Sequence, residues 1–335
     1  MKLRTVNSFL GIVITFFVSL QQLVNAESTI FPNLNIDYDA RSAAMAGAAV
    51  AVAEGASAVL SNPAATVSVK NNQAFIGYRT IVDGVWGSPV VFSRSFDKWG
   101  VFSALICGVN AEVEVIDEFE GEPVFTNKTG GAQYLTGAMS WGYSIRKDLF
   151  VGTSLKGLYN RLNDGDVIYS AKAVAMDAGI LYRTFRNRLT LGAAIRNAGF
   201  LFKSFDDNSY NLPFTFEAGL SFVGDQLSSV RLALDVNKKK DDRLTFEPAV
   251  DIDIYKKILS LRLGYAFSDH DLKQFFKKLG GNEDENYVKT NWNTFCAGLG
   301  FVKKVEKATV GIDFALQFHA QFITPSTIVS AFVDF

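Results

Sequence analysis

Residues 244–267 read LTFEPAVDIDIYKKILSLRLGYAF, and this stretch decides the fold class. Apolar and charged side chains alternate along it, so that Ile252 and Ile254 lie on one side of an extended chain while Asp251 and Asp253 lie on the other. After a short basic turn the alternation resumes. A period of two residues is typical of β-strands, because successive side chains of a strand point to opposite faces. The stretch therefore predicts an antiparallel hairpin with one apolar and one polar face.

The same alternation recurs through most of the chain from residue 73 onward, for example in 213–222, 229–237 and 307–318. Roughly fourteen such segments are present, and bacterial outer-membrane barrels have an even number of strands. The segment lengths suit strands that cross a membrane at a tilt. We therefore expect an all-β protein, an antiparallel transmembrane β-barrel of about 14 strands that occupies residues 73–335.

The lengths of the connections favour a membrane barrel over a soluble β-sandwich. Tight connections are expected near 96–98, 146–148, 184–187, 224–228, 255–257 and 302–306. Longer polar connections are expected between them, at 117–131, 161–170, 198–212 and 268–291. Short periplasmic turns and long outer loops produce this rhythm in outer-membrane barrels, whereas a soluble sandwich has no reason to show it.

The two ends of the sequence carry export features. Lys2 and Arg4 precede an apolar run at 9–20, and Val24-Asn25-Ala26 has the small residues that signal peptidase recognises. We expect residues 1–26 to be a cleaved signal peptide, and export together with the predicted barrel indicates the bacterial outer membrane. Phe335 closes an alternating segment, which resembles the C-terminal signal read by the outer-membrane insertion machinery.

Residues 27–72 lack the period of two and are rich in alanine and glycine. Short helical pieces and loops of small side chains would fit inside the lumen, which a barrel of this size would otherwise leave filled with water. We expect this segment to form an N-terminal plug, or hatch, inside the barrel. The plug residues singled out are Arg41, Met45, Gly47, Asn62 and Pro63. Asn62 precedes a proline and is expected to hold a turn by bonding to backbone, or else to seal a channel and shift when a ligand binds.

Several segments resemble the PorV/PorQ family of outer-membrane proteins. The opening carries the resemblance through Asp39-Ala-Arg-Ser-Ala-Ala-Met-Ala-Gly and Asn62-Pro63-Ala64, which match the family's Ala-Arg-Ala-x-x-Met-Gly-Gly and Asn-Pro-Ala elements. The resemblance continues in Asp177–Tyr182, Leu191–Gly199, Leu212–Leu220 and Leu261–Tyr265. Ala46 departs from it, since the family usually has glycine there, and this suggests a looser constraint in the plug turn.

The resemblance implies a relation to the FadL transporters, which have a fourteen-stranded barrel and an N-terminal hatch. PorV-like members work with the type IX secretion system, and FadL-like relatives pass fatty acids or aromatic hydrocarbons inward. The first role implies docking of secreted proteins or secretion-system components. The second implies a hydrophobic small molecule between the plug and the wall, around Met45, Val50, Val52 and Leu60. A purely structural barrel implies neither.

The polar faces of the predicted strands carry charges of both signs. These lumen charges are Lys156, Asp177, Arg196, Glu217, Arg231, Asp235, Glu247, Asp251, Asp253, Arg262 and Asp313. Charges in a partly dry lumen need partners, so we expect ion pairs that join the wall to itself and to the plug, with a polar conduit for solutes as the alternative.

Aromatic residues are expected in the outer loops, where they would contact a greasy ligand, a partner protein or lipopolysaccharide, or would pack among themselves. They are Phe200, Phe202, Phe205, Phe275 and Phe276.

The sequence gives little support for catalysis. Its two histidines, His270 and His319, fit no metal or nucleophile spacing, and no phosphate-loop or dinucleotide motif is present. The two cysteines exclude a disulfide scaffold, and the net charge of −1 gives no reason to expect nucleic acid as a partner. We expect a non-catalytic barrel without a cofactor, with outer-membrane lipid and lipopolysaccharide around it.

Overall fold

The computed structural model describes residues 30–335, except 83, 120–121, 164–166, 206–209, 225–228, 241, 256–257, 273–293 and 320–324. Fourteen antiparallel strands form one closed barrel, in which each strand pairs with its neighbours in sequence and the first strand pairs with the last. Closure leaves no strand edge unpaired, as a structure in hydrocarbon requires. The predicted fold class is therefore confirmed.

The strands are β1 Asn72–Val82, β2 Val85–Ser95, β3 Val101–Phe119, β4 Glu122–Arg146, β5 Leu149–Asn163, β6 Ile168–Thr184, β7 Leu189–Lys203, β8 Thr215–Val223, β9 Val230–Lys239, β10 Leu244–Tyr255, β11 Leu259–Ser268, β12 Thr294–Val305, β13 Ala308–His319 and β14 Ser326–Asp334. In the described residues before β1 there are four short helices: 3-10 helices at Pro32–Asn35, Ala56–Leu60 and Pro63–Ser68, and an α-helix at Ala40–Ala44. Another 3-10 turn, Asp97–Trp99, joins β2 to β3. None of the helices in the described ranges has the length and apolar character needed to span a bilayer.

The alternation of the sequence separates the two faces of the wall. Ile252, Leu261, Leu299 and Phe314 are successive cross-strand neighbours on β10 to β13 and form a continuous apolar row around the exterior. The sequence neighbours of these row residues point into the lumen, among them buried Asp251, Arg262 and Asp313. An apolar exterior with a polar interior is the pattern that a lipid environment demands of a barrel.

The connections follow the predicted rhythm at one end of the barrel and depart from it at the other. At the end that carries the chain termini of the barrel, all the turns between strands are short, as expected. At the opposite end, two predicted loops are wrong: 117–119 and 122–131 belong to the long strands β3 and β4, and 198–203 belongs to β7. These strands extend past the apolar exterior, and there the apolar-polar alternation that marks a strand is lost.

The described plug residues, 30–71, lie inside the barrel and are mostly buried. Ala40, Ala43 and Ala44 of the α-helix pack against Ala315 and Ile328 of the wall. Small side chains allow this close approach, so the plug fills the section of the lumen nearer the chain termini.

Candidate functional site

The plug lies against the wall where the wall residues are glycine. Gly142, Gly152 and Gly179 are cross-strand neighbours on β4, β5 and β6. A β-carbon on Gly142 would come within 3.0 Å of the carbonyl oxygen of Pro63, one on Gly152 would overlap the Pro63 backbone, and one on Gly179 would overlap the side chain of Asn62. Only glycine leaves room for such an approach between two backbones. These glycines therefore form the seat of the plug.

Asn62 connects three parts of the molecule at this seat. Its Oδ1 accepts from the backbone N–H of Ala64 at 3.1 Å, which caps the 3-10 helix that Pro63 begins. Its Nδ2 donates to the carbonyl of Val50 at 2.8 Å and to that of Ile180 at 3.3 Å. The side chain is fully buried. Asn62 thus holds its own turn, another plug segment and the wall together.

Arg41 links the plug to the wall through two carboxylates. Its guanidinium lies 3.3 Å from Glu54 and 3.3 Å from Asp251, and Glu54 also lies 3.3 Å from Arg231. Partial burial opposes ionisation of Glu54, but the guanidinium of Arg41, helped by that of Arg231, lowers its pKa to about 2. The Glu54 side chain is 45% exposed, so its two ion pairs contribute little energy.

Ala46 and Gly47 form a turn of the plug with φ values of 57° and 97°. Glycine adopts this left-handed region freely, whereas alanine pays a steric cost there. The departure at Ala46 therefore adds strain to the turn, and the expected looser constraint is not seen. A β-carbon on Gly47 would lie 3.1 Å from Oε2 of Glu247, so the turn packs closely on the wall.

Lys156 and Asp177 form a buried pair in the wall, with Nζ 2.6 Å from Oδ2. Asn197 completes the cluster: its backbone N–H donates to Asp177 Oδ1 at 2.8 Å and its own Oδ1 accepts from Lys156 at 2.9 Å. Asn197 has a φ of 60° where β7 bulges against β6. The bulge aims this backbone N–H at the carboxylate.

Two further pairs cross the wall. Arg196 pairs with Glu217 on the next strand and also donates to the Leu60 carbonyl of the plug at 3.0 Å. Arg262 lies 2.5 Å from Asp313 and 3.3 Å from Asp251. Each arginine therefore has a carboxylate partner, as a charge removed from water requires.

Two other lumen acids bond to backbone or hydroxyl groups. Asp235 accepts from the backbone N–H of Val50 at 2.7 Å, and Asp253 accepts from Ser260 at 3.1 Å. Nine of the eleven predicted lumen charges are buried, Arg231 and Asp253 being partly exposed. The nine are Lys156, Asp177, Arg196, Glu217, Asp235, Glu247, Asp251, Arg262 and Asp313.

The expected ligand position lies around Met45, Val50, Val52 and Leu60. The first three are buried, whereas Leu60 is partly exposed and packs against an apolar cluster between the plug and β1 to β4. Met45 and Val52 pack against Ala233 of the wall, and Val50 has no exposed surface. Around Met45, Val50 and Val52 the side chains leave no apolar surface free for a ligand. Larger apolar clusters lie elsewhere in the lumen, one around Tyr38 and Val59 and another around Phe31.

An apolar pocket occupies the lumen farther from the chain termini. Phe31 and Ile30 fill it, and its walls are apolar side chains of β5, β6 and the connection before β8. These wall residues are Leu158, Ala171, Ala173, Ala175 and Leu212. Phe31 is fully buried, and its ring meets the edge of Tyr134 at a centroid distance of 6.3 Å.

Phe31 holds this position in a strained backbone conformation, with φ 63° and ψ 52°. The left-handed region is rare for a bulky residue, and strain of this kind persists only where surrounding contacts enforce it. The backbone N–H of Ile30 donates to the carbonyl of Asn211 at 2.9 Å, which fixes the segment to the connection between β7 and β8. Ile30 and Phe31 therefore close the apolar pocket, and we call these two residues the stopper.

The sequence analysis missed Phe31, Asn197 and Arg79. Arg79 points inward from β1, where it donates to the Asp37 carbonyl at 2.8 Å and to Gln317 Oε1 at 2.6 Å. The alternation of residues 72–82 would have indicated an inward arginine. Nothing in the sequence marks Phe31, because its contacts depend on how the plug enters the barrel.

The predicted loop aromatics take three different positions. Phe200 and Phe202 lie on β7 and are largely exposed, and Phe200 pairs with Val174 on the outward face. Phe205 packs on the apolar pocket instead. Phe275 and Phe276 lie outside the described residues.

Metal chemistry has no candidate in the part of the chain that the structure describes, where no three His, Cys, Asp or Glu residues are grouped. Cys107 and Cys296 are free and buried.

No protein-family model matches the chain, and no curated protein matches it in sequence. The specific PorV/PorQ resemblance therefore stays a prediction. Solved structures do match. The Pseudomonas putida toluene transporter TodX has a TM-score of 0.63 at 12% identity, with 92% of this chain and 98% of TodX covered.

Two other solved structures are similar over comparable lengths. The monoaromatic hydrocarbon channel CymD has a TM-score of 0.59 at 11% identity, covering 89% of this chain and 97% of CymD. A FadL homologue of Pseudomonas aeruginosa has a TM-score of 0.54 at 10% identity, covering 92% and 100%. At these identities the likeness concerns the fold alone, and the chain shares the overall fold of these FadL-type channels.

Proposed function

We propose that the protein is a bacterial outer-membrane channel that takes up hydrophobic small molecules, and that the apolar pocket behind Phe31 is its binding site. The observation that carries the proposal is this apolar pocket, filled by the side chains of Ile30 and Phe31, in a fold shared with hydrocarbon channels. Uptake is the alternative of the sequence analysis, and it has better support than secretion. The end that bears the chain termini would face the periplasm.

The chemistry of the pocket supports an apolar ligand. Burying apolar surface is favourable by about 25 cal/mol per Å², and the alanines of β6 leave a shallow wall that a ring or an acyl chain could cover in place of Phe31. The strained backbone of Phe31 makes this stopper easier to displace, because its release recovers conformational strain. Displacement of Ile30 and Phe31 would break the hydrogen bond from the Ile30 N–H to the Asn211 carbonyl, whereas the bond from Leu34 N–H to the Phe31 carbonyl lies within the plug.

The secretion-associated role has no observation of its own in support. Docking of secreted proteins would involve the outer connections, and the longest of these, 269–293, lies largely outside the described residues. The role stays a prediction that the same experiment tests.

The experiment is purification from outer membranes in mild detergent, followed by mass spectrometry of everything that travels with the barrel. Uptake predicts a bound apolar small molecule, and toluene or a long-chain fatty acid should bind to the purified protein. Co-purifying secreted proteins without an apolar ligand would support the secretion role and contradict our proposal.

Two variants of β5 test the position of the site. Leu158→Asn places a polar group in the pocket on a side chain of the same branched shape and should weaken apolar-ligand binding about tenfold, the effect of about 1.4 kcal/mol. Ser154→Ala is the matched control, because Ser154 is also buried on the inward face but bonds Ser140 away from the pocket. Equal binding by the two variants would place the site elsewhere.

A further inference from the structure

A polar band runs along the outward face of β3 to β7, at the end of the barrel opposite the chain termini. Asn110, Gln133 and Arg161 are direct cross-strand neighbours on β3, β4 and β5. Lys172 and Lys203 face each other on β6 and β7. Lysine and arginine on the lipid side of a barrel are unfavourable within the hydrocarbon, so this band marks its boundary.

The height of the band on β4 agrees with this placement. Trp141 and Tyr143 stack near the other end of the strand, with ring centroids 5.4 Å apart, as interfacial aromatics do. Exposed Leu135 and Met139 follow, and Gln133 stands ten positions from Tyr143. At ~3.3 Å per residue and a tilt of ~40°, the separation is about 25 Å, the height of the apolar zone of an outer-membrane barrel.

A surface cavity of about 240 Å³ opens within this band. Its polar lining is Asn110, Glu112, Gln133, Arg161 and Asn163. Gln133 donates to Asn110 at 3.3 Å, and Asn110 donates to Glu112 at 2.9 Å, so the Asn110 amide engages the carboxylate of Glu112. Among the described lining residues, no carboxylate forms an ion pair with the guanidinium of Arg161. The cavity therefore presents a cation and amide donors to the membrane surface.

The neighbouring lysines add positive charge. Among the described residues, no carboxylate forms an ion pair with Arg161, Lys172 or Lys203. Lys203 donates to Ser170 at 2.7 Å, and Lys172 lies over the ring of Tyr159 at 6.0 Å. Like charges directly opposite in a sheet are destabilising, and an anion between them would reverse the sign of that effect.

Below the band the exterior is smooth. Gly137 and Gly157 are cross-strand neighbours on β4 and β5, and a β-carbon on either would meet no atom within 4 Å. Their flat surface lies between the exposed side chains of Leu135 and Leu155. An acyl chain would fit along this strip, directly beneath the cations.

We infer that the band is a binding site for a phosphorylated membrane lipid, with the phosphate at Arg161, Lys172 and Lys203 and an acyl chain on the glycine strip. The inference rests on the proposed outer-membrane location, because the outer leaflet of that membrane consists of a phosphorylated glycolipid. Arginine and lysine bind phosphate through charge-assisted hydrogen bonds, which supply the recognition. The phosphate could also come from solution, and the test separates the two sources.

The test is native mass spectrometry of the detergent-purified full chain titrated with lipid A and with its phosphate-free analogue. We expect lipid A to bind about tenfold tighter, as the loss of one charge-assisted contact would imply. The variant Arg161→Gln/Lys172→Gln/Lys203→Gln should lose this preference. The control Lys303→Gln/Lys304→Gln/Lys307→Gln removes the same charge from exposed residues at the other end and should keep it.

Equal affinity for the two lipids, or an unchanged preference in the first triple variant, would overturn the inference. Inorganic phosphate added at millimolar concentration should not displace lipid A, and displacement would assign the site to a soluble anion instead. Binding is measured in detergent without transport. A wild-type protein that takes up apolar molecules yet shows no lipid preference would therefore contradict this inference alone, and the reverse result would contradict only the proposed function.

Discussion

Lys156 Nζ lies 2.6 Å from Asp177 Oδ2, and both side chains are almost completely buried between the wall and the lumen. Removing one partner would leave the other charge uncompensated. We expect Asp177→Asn and Lys156→Met each to destabilise the barrel by about 3 kcal/mol in urea unfolding from vesicles.

The double variant Lys156→Met/Asp177→Asn is the decisive control for this pair. It removes both charges, and the asparagine retains an acceptor for the Asn197 N–H that Asp177 bonds at 2.8 Å. We expect it to be clearly more stable than the sum of the single effects predicts. Strict additivity would mean that the two charges do not act as a pair.

The seat of the plug yields a second prediction. Gly152→Ala places a methyl group on the Pro63 backbone, so the plug must shift or the wall must open. We expect faster hydrogen exchange across residues 56–68 and a lower unfolding temperature. Gly157→Ala, five residues along the same strand on the outward face, meets nothing within 4 Å and should behave like wild type. Similar exchange in the two variants would show that the seat is not tight.

The sequence predicts a strand well where its two faces meet different environments, one polar and one apolar. Asp251 and Ile252 were assigned to the correct faces because one faces the lumen and the other faces lipid, so the period of two is strong. The region 117–131 was wrongly predicted to be a loop. Strands that project beyond the hydrocarbon have no lipid-facing side, so their alternation is no longer required.

The candidate site was predictable only in part. Asn62 was recognised because the Asn-Pro pair indicates a turn, and the inward charges followed from strand alternation. The pocket of Phe31 could not be predicted, since it joins the start of the plug to β5 and β6, more than a hundred residues away. Contacts of such separation leave no local pattern.

Asn62 gives a third prediction, on plug anchoring. Asn62→Ala removes three hydrogen bonds: the cap of the following helix and the bonds to the carbonyls of Val50 and Ile180. The cap and the bond to Val50 are buried. We expect about 2 kcal/mol of lost stability and raised conductance in planar bilayers, because the plug is held less firmly. Ser61→Ala is the adjacent control, since Ser61 makes only one long bond, 3.5 Å to Ala58. Unchanged conductance and stability in Asn62→Ala would leave this residue without an anchoring role.

Leu261 gives the last prediction, on the membrane-facing surface. It lies in the apolar row between Ile252 and Leu299, while its neighbour Arg262 points inward to its carboxylate partners. Leu261→Arg would place a guanidinium in lipid, which destabilises a barrel by about 2–4 kcal/mol at the bilayer midplane. We expect slower folding into vesicles and little heat-modifiable barrel on gels. Leu261→Ala keeps the surface apolar and should assemble normally. Efficient assembly of Leu261→Arg would mean that this face of the barrel does not meet lipid.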